Sequence, residues 1–432
     1  MTGIERVSHC YCTVINWIMY RGEDMNTRIV IIGGGICAVS AIQAIREVDV
    51  GGEICLIEGE NVHPYYRIKL SKKIFDEMNG SNMLLQKEEW YEGKRVKLYS
   101  KKKVVKIDLN TNIVMLDNGE NIAFDKLLLA NGASNNVPSI EGINKKGVYS
   151  LRTMEDALEI KNYAENEDTN SIVQIGGGIL GLELAWNMHL HQKKVFIVEQ
   201  QTRIMPRQLD EKASKILKKV IEDYGIVVLT NTCVNKIIGE NGVTGALTNT
   251  NETIHCNMIL YSAGIRPNID IAQDLNIKVN RGIIVNEKME TNIENIYAAG
   301  DVAEFDDKVI GLWNVALEQG KVAGYNISGK LSTYKEVVSP TILNAFNISL
   351  FSLGCIDENE CSDVIVEEND DKVEYKKIFI KDKIIVGAII INDLKIAPIL
   401  KSAIEKRIRL DNFYFTEISI NALIDGIKNN MT

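Results

Sequence analysis

Long apolar runs are missing from this chain of 432 residues. No stretch reaches the ~18–20 residues that a bilayer-spanning helix requires, so no membrane span is expected. Positive charge is in deficit: 49 Lys and Arg against 58 Asp and Glu leave a formal charge of −9. Nucleic acid and anionic membrane surfaces are therefore poor partners. The first residues lack the basic-then-apolar order of a secretory signal. Paired cysteines are also wanting. The eight cysteines stand scattered at positions 10, 12, 37, 55, 233, 256, 355 and 361, and Cys10-x-Cys12 beside His9 has no second pair to complete a metal site. This usage fits a reducing, cytoplasmic compartment with most thiols serving as small apolar side chains. What remains, 45% hydrophobic and 25% charged residues, is the balance of a globular protein. The length exceeds one core, so about two or three domains are expected.

The chain is organised around residues 28–58. Residues 28–32 are nearly all apolar, the pattern of a parallel strand buried on both faces. They run into Gly33-x-Gly35-x-x-Ala38 and a helical segment with Ile36, Val39, Ile42 and Ile45 at near-3.6 spacing. A second apolar run, 54–57, ends in Glu58, 20 residues past Ala38. Each part has a physical task. Gly33 permits the tight turn, Gly35 lets a pyrophosphate approach the backbone, and Ala38 lets helix and strand pack closely. The helix N-terminus favours the anion, and Glu58 can accept hydrogen bonds from a ribose diol. Strand, glycines, helix, strand and acid in that order read as a dinucleotide-binding unit.

The theme returns 143 residues later, as a strand at 171–175, Gly176-x-Gly178-x-x-Gly181-x-Glu183, a helix, and a run at 195–198 ending in Glu199. Two such units make a domain duplication and an α/β fold: two Rossmann-like, three-layer ββα domains. Between them, strands are expected at 103–108, 113–116, 122–124 and 126–130, with Asp117-Asn118-Gly119 as a hairpin turn. The lysine run 101–103 reads as a solvated face. A strand that stops at Ser262-Ala263-Gly264 is expected within 254–267, another ending in Gly300-Asp301 within 283–305, and a helix over 314–327. A third, α+β domain of about 100 residues is expected from 333 onward, with a β-rich stretch at 345–391, a hairpin turning at Asp382 and a helix over 397–409. Residues 1–24 do not fit this plan and read as a disordered or mis-started leader, with Met25 where the first domain would begin.

Several motifs, in order, carry a family resemblance: GGGICA, PYYRIKLSK, LRTMEDA, IGGGILGLELA, MPRQLD, SAGIRPN, NIYAAGDVAE and WNVALEQGKVAG. The chain from residue 25 resembles the FAD-dependent pyridine-nucleotide oxidoreductases, within them most the NADH:rubredoxin reductase and nitrite-reductase flavoprotein branch. The end segment YKKIFIKDKIIVGAIII is similar to the terminal domain of the rubredoxin-reductase branch, though Asn392-Asp393 stands where Gly-Asp is common. The resemblance implies FAD on residues 25–145 with 268–332, NADH on 146–267, and an α+β domain over 333–432. It implies that Asp301 hydrogen-bonds the ribityl chain, that Gly300 lets the backbone pass close to it, and that the following helix aims its N-terminus at the flavin. It places Arg67, Arg152 and Trp313 against FAD, and Lys72 with Glu183 near the point of hydride transfer. An ordinary ion pair is the other reading of Lys72–Glu183, and plain packing the other reading of Trp313. Glu199, 18 residues after Gly181, suits the 2′- and 3′-hydroxyls of NADH and repels the 2′-phosphate of NADPH. Arg203 and Arg207 nearby could soften that preference.

One absence separates the chain from its disulfide-reducing cousins. The loop where the resemblance expects a redox cysteine pair, or a single catalytic cysteine, reads YYRIKLSK. Cys37 reads as core, and Cys355 and Cys361 have no metal-like companions. No cluster or haem ligand set is visible, so electrons must leave reduced FAD for a separate acceptor. A small one-electron carrier of the rubredoxin kind fits the branch. Because such carriers are commonly acidic, the expected docking face is basic, drawn from Lys69, Lys72 and Lys73 or from Lys401, Lys406, Arg407 and Arg409; simple solvation is the alternative. A nitrite-reductase flavoprotein component, an NADH oxidase and a redox-sensing protein resembling apoptosis-inducing factor stay open. So does the choice between monomer and homodimer.

Overall fold

The computed structural model describes residues 27–431 apart from 79, 412, 414, 416 and 417. The expected leader and Cys10-x-Cys12 lie outside the described residues. Two five-stranded parallel sheets dominate. In the first, Arg28–Ile32 is central; Glu53–Glu58 and then Val96–Ser100 lie on one side, Lys126–Leu129 and then Ile296–Ala298 on the other. The second repeats the plan, with Ser171–Ile175 central, Lys194–Val198 and Val227–Leu229 on one side, and Met258–Tyr261 and Val148–Tyr149 on the other. Each sheet has its own three-stranded antiparallel companion. These are Val104–Asp108, Ile113–Leu116 and Asn121–Ala123 in one case, and Val234–Ile238, Gly245–Thr248 and Thr253–His255 in the other. The three layers explain the unbroken apolar runs. Val30 and Ile31 are wholly buried because helices cover one sheet face while Val114, Leu116 and Ile122 of the antiparallel layer cover the other.

The helices over the first sheet, Ile36–Arg46 and Trp313–Ile327, pack backbone to backbone: a Cβ on Gly320 would lie 2.2 Å from the Cys37 carbonyl oxygen. This contact ties a late segment to the first nucleotide motif, so the first module is completed only by chain on both sides of the second. From Thr341 onward the chain forms a five-stranded antiparallel sheet. Its central hairpin turns at Asp382-Lys383, both in the left-handed region, as the sequence suggested. Helices Ala397–Glu405 and Ile420–Met431 complete this unit.

Its other face docks on the second module. Leu343, Phe346, Tyr375 and Phe379 share a buried cluster with Leu184, Met188, Leu217 and Ile221. Asp210 fastens this junction. It caps the helix Glu211–Asp223 through the Ala213 amide (2.9 Å) and accepts from Tyr375 Oη (2.7 Å) and Lys377 Nζ (2.8 Å). Burial pushes the Asp210 carboxyl up, but Lys377, the Ala213 amide and Tyr375 more than offset this and hold it below its ordinary value.

Two expected strands break up. Residues 283–305 hold three short strands, Ile283–Ile284, Ile296–Ala298 and Ala303–Glu304. Between the first two, Asn286 Oδ1 accepts from the Lys288 and Glu290 amides, and Met289 and Asn295 adopt positive φ, so the chain turns. The other strand does stop before Ser262, but it is two: Thr253–His255 on the antiparallel layer and Met258–Tyr261 in the parallel sheet, with Ile265–Pro267 beyond the stop paired with Ala133–Asn135. The helix expected to 409 ends at Glu405, and Arg407 takes a left-handed turn. Among the described residues no helix is long and apolar enough to cross a membrane.

Candidate nucleotide and redox site

A cleft of about 820 Å³ opens at the carboxyl ends of the first sheet's strands, where open α/β sheets bind ligands. Gly33, Gly35, Glu58, Arg67, Arg152, Gly300, Asp301 and Trp313, far apart in sequence, all line it. Gly33 has φ +113°, and a Cβ there would lie 2.2 Å from the Ala130 carbonyl oxygen. At Gly35 the space a Cβ would occupy is open, and the helix Ile36–Arg46 begins there with no side-chain cap. Its first N–H groups are left to an anion. Ala38 does not line the cleft; it is fully buried behind it. Glu58 closes one end, accepting from Ser100 Oγ (2.6 Å) with His63 Nδ1 3.7 Å away. Burial pushes its carboxyl up, against the pull of Ser100 and His63. The side-chain oxygen of Asn131, also on the wall, is buried without a partner. An elongated, partly anionic ligand with a diol at one end fits these donors and acceptors.

At the other end the charged groups form a chain. Arg67 is held by Glu60, by Tyr65 Oη (3.0 Å) and by the Arg152 carbonyl (3.0 Å). Arg152 Nη2 in turn donates to Asp301 Oδ2 at 2.7 Å. Gly300, at φ +81°, carries the backbone past Cys37, whose Cβ is 3.2 Å from where a Gly300 Cβ would stand. Burial, with Asp301 nearby, pushes the Cys37 thiol far up, so it stays a protonated wall group and not a redox thiolate. Trp313 opens the helix Trp313–Ile327 and stacks on Tyr66, ring centroids 5.6 Å apart.

Sequence reasoning missed Glu60, Tyr65 and Asn131, and saw only the solvated side of the lysine run. Lys101 and Lys103 are exposed as expected, but Lys102 and Lys103 also line the cleft. The signal was positional, since the run follows the strand beside Glu58 and the Lys102 amide donates to the Glu58 carbonyl (3.0 Å).

The second motif is built alike. A Cβ on Gly176 would lie 2.6 Å from the Ser262 carbonyl oxygen, Gly178 faces open space, and a Cβ on Gly181 would lie 2.2 Å from the Gly176 carbonyl oxygen. Glu199 is buried. Its two oxygens accept from the Gly177 amide (2.7 Å) and the Gln201 amide (2.8 Å), fixing the carboxylate at the end of its strand. Arg203 donates through Nε and Nη2 to the carbonyls of Leu209 (3.3 Å) and Pro206 (3.1 Å), while Arg207 is exposed.

Lys72 and Glu183 meet across the two modules at 3.6 Å, with Glu183 7% and Lys72 45% exposed. Ser71 Oγ donates to the same carboxylate. Burial pushes Glu183 up, with Ser71 and Lys72 opposing. The structure thus brings this pair together but does not place it on the cleft wall. Most of the expected basic docking residues have partners. Lys69 donates to the Asn82 carbonyl (2.7 Å), and Lys73 pairs with Asp76, Lys401 with Glu405 and Arg409 with Asp411. Lys406 and Arg407 are exposed.

The described cysteines, Cys37, Cys55, Cys233, Cys256, Cys355 and Cys361, are free thiols, and none lies in the Tyr65–Lys72 loop. Among the described residues no group of His, Cys, Asp and Glu could hold a metal ion.

Comparison with known proteins agrees with this geometry. Residues 27–320 match the pyridine nucleotide-disulphide oxidoreductase family, and residues 340–408 match the rubredoxin NAD+ reductase C-terminal domain. The NADH-rubredoxin oxidoreductase of Clostridium acetobutylicum is 33% identical over 94% of this chain and 100% of its own. Its crystal structure superposes with a TM-score of 0.75 over 92% of this chain and 99% of the other. An assimilatory nitrate reductase electron transfer subunit of Bacillus subtilis is 31% identical over 85% of this chain, which spans 48% of that longer relative. The chain belongs to the pyridine nucleotide-disulphide oxidoreductase family, FAD-dependent oxidoreductases that use NADH.

Proposed function

We propose that this protein takes hydride from NADH onto FAD and passes the electrons singly to a separate small carrier protein such as rubredoxin, in the cytoplasm. The observation that carries this reading is the pairing of two nucleotide-binding modules with a cysteine-free Tyr65–Lys72 loop between them. Bound FAD supplies the conversion of a two-electron donor into one-electron steps. The chain supplies placement. Residues 25–145 with 268–332 hold FAD: Gly33, Gly35 and the following helix take the pyrophosphate, Glu58 the ribose, and Arg67, Arg152, Gly300, Asp301 and Trp313 the flavin half. Residues 146–267 hold NADH through Gly176, Gly178, Gly181 and Glu199.

Lys72 and Glu183 bridge the modules and fix the distance between the two rings. Gly35, with nothing within 4 Å of a Cβ position, and the uncapped helix behind it support the pyrophosphate assignment. The acceptor is tested anaerobically, by reducing the protein with NADH and offering rubredoxin, ferredoxin, nitrite and oxygen separately. Fastest transfer to rubredoxin is the expected result. Fast transfer only to nitrite, or only to oxygen, would replace this reading with a nitrite-reductase component or an NADH oxidase.

A further inference from the structure

In the C-terminal unit, Cys355 and Cys361 flank an exposed loop that no part of the proposed reaction uses. Cys355 leaves the strand Ile348–Gly354, its amide held by the Val386 carbonyl at 2.9 Å. Cys361 follows the short 3-10 turn Glu358–Glu360, its amide donating to the Glu358 carbonyl at 3.1 Å. The turn folds the chain back so that both sulfurs face one atom. Cys361 Sγ lies 3.2 Å and Cys355 Sγ 4.0 Å from the Asp357 carbonyl oxygen. The two thiols share that acceptor, Cys355 Sγ also lies 3.8 Å from Glu360 Oε2, and both are partly exposed while residues 357–360 are open to solvent. Metal binding is the weaker use of the pair, since no third ligand completes a set among the described residues. Two partly exposed free thiols on one short loop, both facing one carbonyl oxygen, are placed for oxidation to a disulfide. Because burial pushes the Cys361 thiol up, the step quickens toward alkaline pH.

We propose that Cys355 and Cys361 form a redox-active dithiol that hydrogen peroxide converts to an intramolecular disulfide. One thiolate sulfur attacks a peroxide oxygen, breaking the O–O bond to give a sulfenic acid and hydroxide. The second thiol then displaces the sulfenic oxygen, its proton leaving with that oxygen as water, while the proton the first thiol gave up on ionising turns the hydroxide into the other water. In sum, two thiols and one peroxide yield one disulfide and two waters; a small thiol reductant reverses the step. The loop has a mechanical connection as well. Between the cysteines, Glu358 pairs with Lys377, which holds Asp210 of the nucleotide-binding region at 2.8 Å. Tying the loop therefore acts on the clasp between the C-terminal unit and the second nucleotide module.

The test uses the full-length, FAD-loaded protein. It is treated with hydrogen peroxide, alkylated under denaturing conditions and cleaved after glutamate, which cuts between the two cysteines at Glu358 and Glu360. The expected result is that the Cys355 and Cys361 peptides stay joined until a thiol reductant separates them, with two fewer alkylated thiols per chain. In C355S and C361S the joined peptide is absent and the remaining cysteine is alkylated or carries a sulfur oxyacid. Two separately alkylated cysteines after peroxide treatment, or two separate sulfinic acids, would overturn the proposal. None of these readouts depends on the electron-transfer activity.

Discussion

Replacing Glu199 by glutamine should weaken NADH and abolish most of the discrimination against NADPH. The carboxylate is 7% exposed and fixed by two backbone amides, so little water screens it. A 2′-phosphate brought to ~4 Å of it, at an effective dielectric of ~20, meets a repulsion of about 4 kcal/mol per unit charge. Every ~1.4 kcal/mol is tenfold in affinity, so even half of that repulsion separates the two nucleotides by more than tenfold. The amide side chain removes the charge but turns a donor toward either Gly177 or Gln201, leaving one buried N–H unpaired at about 1–3 kcal/mol. NADH should therefore bind roughly ten- to a hundredfold more weakly in E199Q, while NADPH gains from the lost repulsion. The assay is anaerobic flavin bleaching at varied NADH and NADPH, with the ratio of the two kcat/KM values as the readout. R203A serves as a control and should leave that ratio unchanged, because Arg203 is committed to backbone carbonyls. An unaltered ratio in E199Q would refute the role given to the carboxylate.

Three further outcomes are expected. Gly181→Ala should leave FAD content intact but cost NADH binding, because its Cβ meets the Gly176 carbonyl oxygen at 2.2 Å; overpacking of this kind costs about 1–3 kcal/mol, read by NADH titration. FAD retention should fall with acidification at a pH above the ordinary glutamate range. Burial raises the Glu58 carboxyl, so the anion that accepts the ribose hydroxyls is lost as pH drops through that raised value; E58Q should show no such acid limb in a fluorescence titration of released FAD. Asp210→Ala should lower the melting temperature by several degrees, since Lys377 keeps only the exposed Glu358 as partner, the buried Tyr375 hydroxyl loses its acceptor at about 1–3 kcal/mol, and the lost helix cap costs ~1 kcal/mol more. The pH sign is opposite to that of Glu58. Asp210 is held below its ordinary value, so its contribution is present above the usual aspartate pKa and lost as pH falls through the lowered one, a dependence that D210N should flatten.

The parallel strands and their glycine turns were legible in sequence because one short stretch carries several mutually reinforcing constraints. A doubly buried strand shows as an unbroken apolar run, and a positive φ beside a carbonyl shows as Gly33 or Gly176. Glu58, Glu199, Gly300 and Asp301 stood where strand ends placed them. Groups whose role depends on the third dimension were not legible. Lys102 and Lys103 read as solvated charge, and Lys103 is indeed exposed, but only the adjoining strand shows that both also stand on the cleft wall. Glu60 and Tyr65 matter because they grip Arg67, a contact no spacing announces. The strand expected over 283–305 failed because Asn286 draws two following amides into a local turn that competes with the sheet. Asp210 read as part of a family motif, but its task as the fastening point of the C-terminal unit appeared only with Tyr375 and Lys377 in place.

The central claim is direct passage of electrons from one nucleotide to the other, with no sulfur relay between them. Anaerobic titration of the FAD-loaded C355S/C361S protein with NADH tests it most directly. The flavin should bleach completely at one NADH per FAD and recover its colour when oxidised rubredoxin is added, with the thiol count unchanged throughout. A flavin that stays yellow, or one that bleaches only after a second equivalent of NADH has been consumed with thiols appearing, would contradict the account.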